Sequence, residues 1–527
     1  MIYINIMGIP AYFSNLIKEH SDILKKFNFF KLKVDFFYLD SNSIIYDCLK
    51  NANYDEFSKT NNFTIVYQLV YEKLNTYINI LKPTNIFIAF DGVAPLAKMD
   101  QQRTRRYKSS YQNKITQSLN NDKKDNWNTA IITPGTDFMN GLNKFLSEKY
   151  RSKGNIILSL SNSPGEGEHK IFQHLRSNHS KLSKKNIVIY GLDSDLIMLS
   201  LNHIKFVKKL YLFRETPEFI KSINFDLEPN ENYIMDIPLL AYEINKELNI
   251  NLDELFIKDR LDDYIFICFM LGNDFLPHFP SINIRTGGIN KLINAYKNII
   301  TNSHSTIISN DTIQWDIFKK FISFLADNEL QYLIEENKNR SKYELKYHPD
   351  KTIDDKLYNF NLLPSKNREV EKHINIGNKN WEERYYKYLF EVNIDDMRRK
   401  QICINYLEGL EWTFKYYKQD CIDWRWKYFY HYPPLLKDLV HFIPFYNNDL
   451  LAEKNFNPVT EITQLSYVLP RDSLNLLPIN IKENLLTEIP HIYKNDCRFN
   501  WAFCKYFWES HVDLPFIDIE DLENILL

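Results

Sequence analysis

Seven acidic residues stand where this 527-residue sequence could do chemistry: Asp40 in LDSNS, Asp91 in AFDGVAP, Glu166 and Glu168 in PGEGEHK, Asp193 and Asp195 in GLDSDL, and Asp274 in LGNDFLPHF. Singly, each has an ordinary explanation. An aspartate beyond an apolar run is commonly a turn former or a helix cap, and SPGEGEHKIFQHLR reads as the start of a helix with carboxylates at its positive end. Gathered into one crevice, however, seven carboxylates would repel one another, and bound divalent cations would remove that conflict. Oxygen ligands without a Cys or His cluster favour Mg²⁺ or Mn²⁺ over zinc. Two such ions about 3.5–4 Å apart would activate a water and stabilise the leaving oxygen of an in-line phosphodiester displacement. The chemistry implied is that of a nuclease.

Spacing refines this. Asp193 and Asp195 share one face if the strand continues through LDSD. Gly165 and Gly167 free the backbone to bring Glu166 and Glu168 to neighbouring ions. Immediately after Asp91 comes GVAPLAKMDQQRTRRYKSSY, in which Lys98, Arg103, Arg105, Arg106 and Lys108 oppose only Asp100. In a helix, Lys98, Gln102, Arg105 and Arg106 fall near one face. Guanidinium forks and amide donors there suit a terminal phosphate; the alternative is a solvated basic helix face.

The elements that must position these residues alternate. Up to about residue 300, short β-rich runs (FFYLDSN, NIFIAFD, GNIILSLSN, NIVIYGLDSD) are separated by helical stretches. That pattern predicts an α/β fold with a mostly parallel central sheet flanked by helices. Each run ends in polar or acidic residues, and open α/β sheets bind ligands beyond the carboxyl ends of their strands. Residues 1–300 are therefore expected to form a core domain and 301–378, which is polar and charged, a solvated connection or insertion. Residues 379–527 are expected to form a second, mainly helical region rich in aromatics, densest in LEGLEWTFKYYKQDCIDWRWKYFYHYPP.

Length predicts more than one domain. With 65 Lys+Arg against 67 Asp+Glu, the net charge is −2, so affinity for nucleic acid must come from a local patch. The six cysteines form no CxxC and are expected to be reduced. The start, MIYINIMGIPAYF, does not read as a signal peptide, and the longest apolar run, 264–271, is far short of the ~18 residues of a spanning helix. A soluble, cytoplasmic, monomeric protein is expected.

Taken in order, MGIPAYF, YLDSNSI, AFDGVAPLAKMDQQRTRR, ITPGTDFM, PGEGEHKI, YGLDSDLIML and LGNDFLPHFP resemble the XRN family of 5′→3′ exoribonucleases, whose nuclease core belongs to the flap-endonuclease-like (PIN-like) superfamily. WEERYYKYLF, GLEWTFKYYK, CIDWRWKYFYHYPP, PVTEITQLSYVLPRDSLNLLP and LPFID resemble the family's second conserved region, so the resemblance covers nearly the whole chain. It implies metal-binding roles for Asp40, Asp91, Glu166, Glu168, Asp193, Asp195 and Asp274. It also implies a 5′-monophosphate pocket of Lys98, Gln102, Arg105 and Arg106, and a substrate of single-stranded RNA held by base stacking.

There are departures. Tyr46 stands where the family commonly has a stacking histidine, and Leu96 at a position often basic. The opposing tryptophan is Trp424 or Trp426. Six residues precede Met7-Gly8, where the family's chains usually start, and the zinc knuckle of nuclear members is missing. The expected activity is processive, Mg²⁺-dependent exonucleolytic release of nucleoside 5′-monophosphates. The alternatives are a structure-specific 5′ flap nuclease acting on DNA and a non-catalytic RNA-binding scaffold.

Overall fold

A computed structural model describes residues 9, 11–27, 31–52, 62–119, 127–249, 260–301, 305–447, 449–451 and 455–527; Met7 and Gly8 lie outside them. The central sheet has seven strands, β1 (Leu24–Lys26), β2 (Phe36–Asp40), β3 (Asn85–Ala89), β4 (Ile156–Ser159), β5 (Asn186–Tyr190), β6 (Lys209–Glu215) and β7 (Asn232–Asp236). Their order across the sheet is β1-β7-β6-β5-β2-β3-β4. The pairings β6-β5-β2-β3-β4 are parallel, while β7 and β1 add antiparallel strands at one edge. The four runs read from the sequence are β2 to β5. β2, β3 and β5 are near-continuously apolar because strands covered on both faces must be, whereas β4, at the sheet edge, leaves Ile157 exposed.

Alternation along the strands sorts side chains into two cores. Phe36, Tyr38, Ile187 and Ile189 face one cluster, and Phe37, Leu39, Ile86, Ile88 and Val188 the other. The chain proceeds from β2 outward to β3 and β4, then returns to place β5 on the other side of β2. Strand order therefore reverses at β2, and the crevice of such a sheet lies at that switch point.

Six helices matter to the site: α1 (Asn42–Asn51), α2 (Leu96–Leu119), α3 (Gly167–Ser177), α4 (Asp195–His203), α5 (Trp315–Leu345) and α6 (Asp396–Lys418). The stretch expected as a solvated connection is largely helical. Its long helix α5 buries Trp315, Phe318, Phe321, Ile322 and Leu325, which join the first core. The polar composition of 301–378 reflects helices charged on their outer faces, a pattern that resembles a linker when read as composition alone. α6 is buried along most of its length from Ile402 to Lys418 and belongs to the same core as the sheet. Among the described residues no helix is long and apolar enough to cross a membrane.

Candidate active site

The seven acids reach the switch-point crevice from different kinds of element. Asp40 ends β2, and Asp91 follows β3 by two residues. Glu166 is the N-cap of α3 and Glu168 lies in its first turn, so PGEGEHK is a helix start as well as part of the site. Asp193 and Asp195 do not extend a strand. β5 stops at Tyr190, Asp193 lies in the loop, and Asp195 is the first residue of α4. The chain turns at Gly191, where a Cβ would lie 2.0 Å from Leu196 Cδ1.

The glycines are sterically required. Gly165 adopts φ +104°, a region costly for other residues. A Cβ on Gly167 would sit 2.6 Å from Asp40 Oδ1 and 3.3 Å from Asp91 Oδ1. The bare backbone instead donates from Gly167 N to Asp91 Oδ1 at 2.7 Å. The AFDG and SPGEGE loops are laced together by Gly92 N to Gly165 O at 2.9 Å and Gly165 N to Val93 O at 2.7 Å.

The carboxyl groups converge. Ligand oxygens of Asp40, Glu168 and Asp193 lie within 4.8 Å of one another, as do ligand atoms of Glu166, Glu168 and His169. Glu168 belongs to both sets. Burial, then the neighbouring Asp91 and Asp193, raises the pKa of Asp40 well above the usual range. Burial and Glu166 do the same to Glu168, and burial and Asp274 to Asp195. Asp193 is pushed up to about 6 by burial, with Lys98 opposing and Asp274 and Asp91 adding to the effect. Among the described residues, Asp40 Oδ1 and Asp195 Oδ1 are buried without a hydrogen-bond partner. Such oxygens are costly unless a cation meets them, and an all-carboxylate donor set suits a hard divalent ion. The residues present fit that group.

Lys98 is 3% exposed and pairs with Asp274 Oδ2 at 2.7 Å and with Glu166. Burial works against its charge, but Asp274 and Glu166 prevail and its pKa is raised. This residue of the expected phosphate pocket is therefore turned toward the acids. The other three share its helix, since α2 spans the whole basic segment. Arg106 donates from Nη2 to Thr133 Oγ1 at 2.6 Å, and among the described residues its buried Nη1 and Gln102 Oε1 have no partner. Arg105 is partly exposed on the adjoining flank. Arg103 and Lys108 have structural roles. Arg103 Nη1 donates to Pro515 O, and Lys108 Nζ to Trp508 O and Ser510 O, all at 2.8 Å.

The aromatics divide. Tyr46, on α1, is 39% exposed. Trp426 is 8% exposed and stacks on Trp412, with ring centroids 5.2 Å apart, so it is a core residue. Trp424 is partly exposed, and its carbonyl accepts from Leu96 N at 2.9 Å, at the start of α2. Leu96 itself is buried. Of the two tryptophans, Trp424 is the more exposed.

Several site residues escaped the sequence reading. Asn42 grips Asp91, donating to Oδ2 and accepting from its backbone N at 3.1 Å. Lys170 Nζ donates to Phe90 O and Leu160 O at 2.9 and 2.8 Å, holding two loops that border the site. Arg214 Nη2 donates to Leu192 O at 2.6 Å, beside Asp193. From α6, Tyr416 donates to Glu166 Oε1 at 2.8 Å, and Tyr417 hydrogen-bonds Asp195. The Tyr416 ring stacks on His169, with centroids 3.7 Å apart. Aromatic density was the sole signal for the tyrosines, and Asn42 sits in the quoted LDSNS.

Comparison with known proteins accords with this geometry. The family model described as the XRN 5′-3′ exonuclease N-terminus matches residues 7–216, and that of the Xrn1 helical domain matches 256–360 and 335–526. Relatives include 5′-3′ exoribonuclease 2 of Gallus gallus, 27% identical over 99% of this chain and 70% of its own length. They also include 5′-3′ exoribonuclease 1 of Saccharomyces cerevisiae, 26% identical over 97% of this chain and 42% of its own, and that of Homo sapiens, 28% identical over 97% and 33%. With matches running from the sheet and its acid crevice through the helices that cover it, the chain belongs to the XRN family of 5′-3′ exoribonucleases.

Proposed function

We propose that the protein hydrolyses single-stranded RNA carrying a 5′ monophosphate, one nucleotide at a time from that end, without releasing the strand between turns. The observation that carries this reading is the juxtaposition of the acid crevice with the α2 face. Arg106 Nη1 and Gln102 Oε1 are buried there without partners among the described residues, in a position to meet a terminal phosphate and its bound water. Arg105 adds charge, and Tyr46 and Trp424 offer rings to the bases.

Asp40, Glu168 and Asp193, with Glu166, Asp195 and Asp274 around them, would hold two divalent cations, Mg²⁺ or Mn²⁺ in its place. When bound, these supply the Lewis acidity that generates a hydroxide-like nucleophile and the charge that stabilises the departing 3′ oxygen. Asp91, gripped by Asn42 and Gly167 N, sets the crevice's geometry. Lys98 keeps Glu166 and Asp274 from repelling each other. Hydrolysis breaks the bond between the 3′ oxygen and phosphorus, so the phosphate stays on the downstream RNA. Each turn releases a nucleoside 5′-monophosphate and recreates the 5′-phosphorylated end that the α2 face grips.

The test is one RNA prepared with a 5′ monophosphate, triphosphate or hydroxyl, alongside a 5′ flap DNA, incubated with Mg²⁺ or EDTA. The expected result is Mg²⁺-dependent decay of the monophosphate RNA alone. Equal decay of all three RNAs, decay in EDTA, or preference for the flap would overturn the reading. Asp193→Asn should abolish cleavage while RNA binding remains.

A further inference from the structure

A cavity of about 250 Å³ opens beside the acid cluster, on the flank of α2 next to the one carrying Lys98, Gln102 and Arg106. Four segments wall it: α2 through Gln101, Thr104 and Arg105, the 273–277 loop, the 427–431 segment and residues 508–511. Two residues join it to the site already described. Asp274 is one of the acids, and Arg105 lies at the seam between the two flanks of α2.

Its lining mixes amide and aromatic residues with three cations, Arg105, Lys108 and Lys427, and three carboxylates, Asp100, Asp274 and Glu509. Asn273 is fixed in orientation, because its Oδ1 accepts from Phe275 N and Leu276 N, each at 2.9 Å. Among the described residues, its buried Nδ2 has no partner, and neither has Gln101 Oε1. One residue thus offers a donor and the other an acceptor, the combination that a nucleobase edge satisfies. Tyr428, Tyr430 and Trp508 line the cavity, with His431 stacked on His511 at 5.1 Å and 20°. Lys427, also in the wall and paired with Asp100 Oδ1 at 2.9 Å, lies 5.3 and 5.8 Å from the ring centroids of Phe516 and Phe429, which are not in the wall and are each 62% exposed. Exposed rings beside a cation are a sequence-tolerant surface for bases.

Topology supplies the role. An enzyme that keeps its RNA between turns has its entrance filled by the strand, so each released nucleotide needs another way out. We propose that this cavity is a second nucleotide site, on the product side of the acid cluster, which receives the nucleoside 5′-monophosphate before it leaves. The inference rests on the processive reading above.

The experiment uses full-length Asp193→Asn protein saturated with a 5′-phosphorylated RNA oligomer and titrated calorimetrically with AMP and UMP, with adenosine and inorganic phosphate as controls. Both monophosphates should bind the RNA-filled protein, and more tightly than either control. Adding Thr104→Trp, which fills the cavity, should weaken AMP at least tenfold and leave RNA affinity unchanged. Gln101→Leu, a smaller change that guards against misfolding of the tryptophan variant, should weaken AMP several-fold. AMP binding that RNA abolishes, or that both cavity variants leave intact, would overturn the proposal. Wild-type protein that degrades the RNA normally while RNA excludes AMP would sink this inference alone; wild-type protein that neither binds nor degrades RNA would sink the functional reading.

Discussion

Asp193 carries an electrostatic conflict with its neighbouring carboxylates. Its carboxyl is pushed up to about 6 from its ordinary value of 3.8, so the folded state holds the proton more tightly than the unfolded chain does. A contribution of this kind is fully present below the unfolded pKa and is lost as pH rises through the folded one. Metal-free wild type should therefore lose stability between about pH 4 and pH 6, by about 1–3 kcal/mol because the side chain is only partly buried. Asp193→Asn should escape that loss. In EDTA, thermal melting at pH 7.5 should place the variant above wild type, and Mg²⁺ should reverse the order by stabilising wild type more. A variant that melts below wild type in EDTA would mean that Asp193 is not under electrostatic strain. The acids themselves were legible because each follows an apolar run or stands in a Gly-spaced motif. Their support was not, since Asn42, Lys170 and Arg214 act through contacts with residues distant in sequence.

α6 shows what one element adds. Two consecutive tyrosines at its C-terminal end close the crevice, Tyr416 on Glu166 across 250 residues of chain and Tyr417 on Asp195. Partners that orient a metal-binding carboxylate typically matter 10–100-fold. Tyr416→Phe keeps the ring on His169 and Trp412 but removes the donor, so cleavage should fall about 10-fold or more with melting temperature little changed. Unaltered Mg²⁺ dependence and rate would show that the hydroxyl is merely satisfied. The sequence reading placed aromatic density here without a role for these tyrosines, because a helix buried on nearly every side has no amphipathic stripe to reveal which residue faces the site. The same limit applied to the WRW tripeptide. Type and spacing left Trp424 and Trp426 equal, and only the folded chain shows that Trp426 packs on Trp412 while Trp424 is partly exposed.

The molecule as a whole ties its basic helix to its far end. Val93, Leu96 and Met99 share a cluster with Leu465, Ile517, Ile519 and Leu522, while Arg103 and Lys108 bond the carbonyls of 508–515. Burial lowers Lys108 to about 8, so those carbonyls hold a cation largely removed from water. Removing residues 507–527 leaves every acid and Lys98, Gln102, Arg105 and Arg106 in place, yet should cost several kcal/mol through lost aliphatic burial and abolish cleavage. A truncated protein that melts and cleaves like wild type would show that α2 is held without its C-terminal partners. From sequence alone, local patterns determined the parallel strands, the acids beyond them, the helix that begins at PGEGEHK and the helical run of basic residues, because these depend on neighbours a few positions apart. Tertiary structure alone decided that Asp195 opens a helix, that Lys98 faces the acids, that 301–378 is packed and that α6 closes the site. Each of those depends on which distant surface remains to bury a side chain or balance its charge.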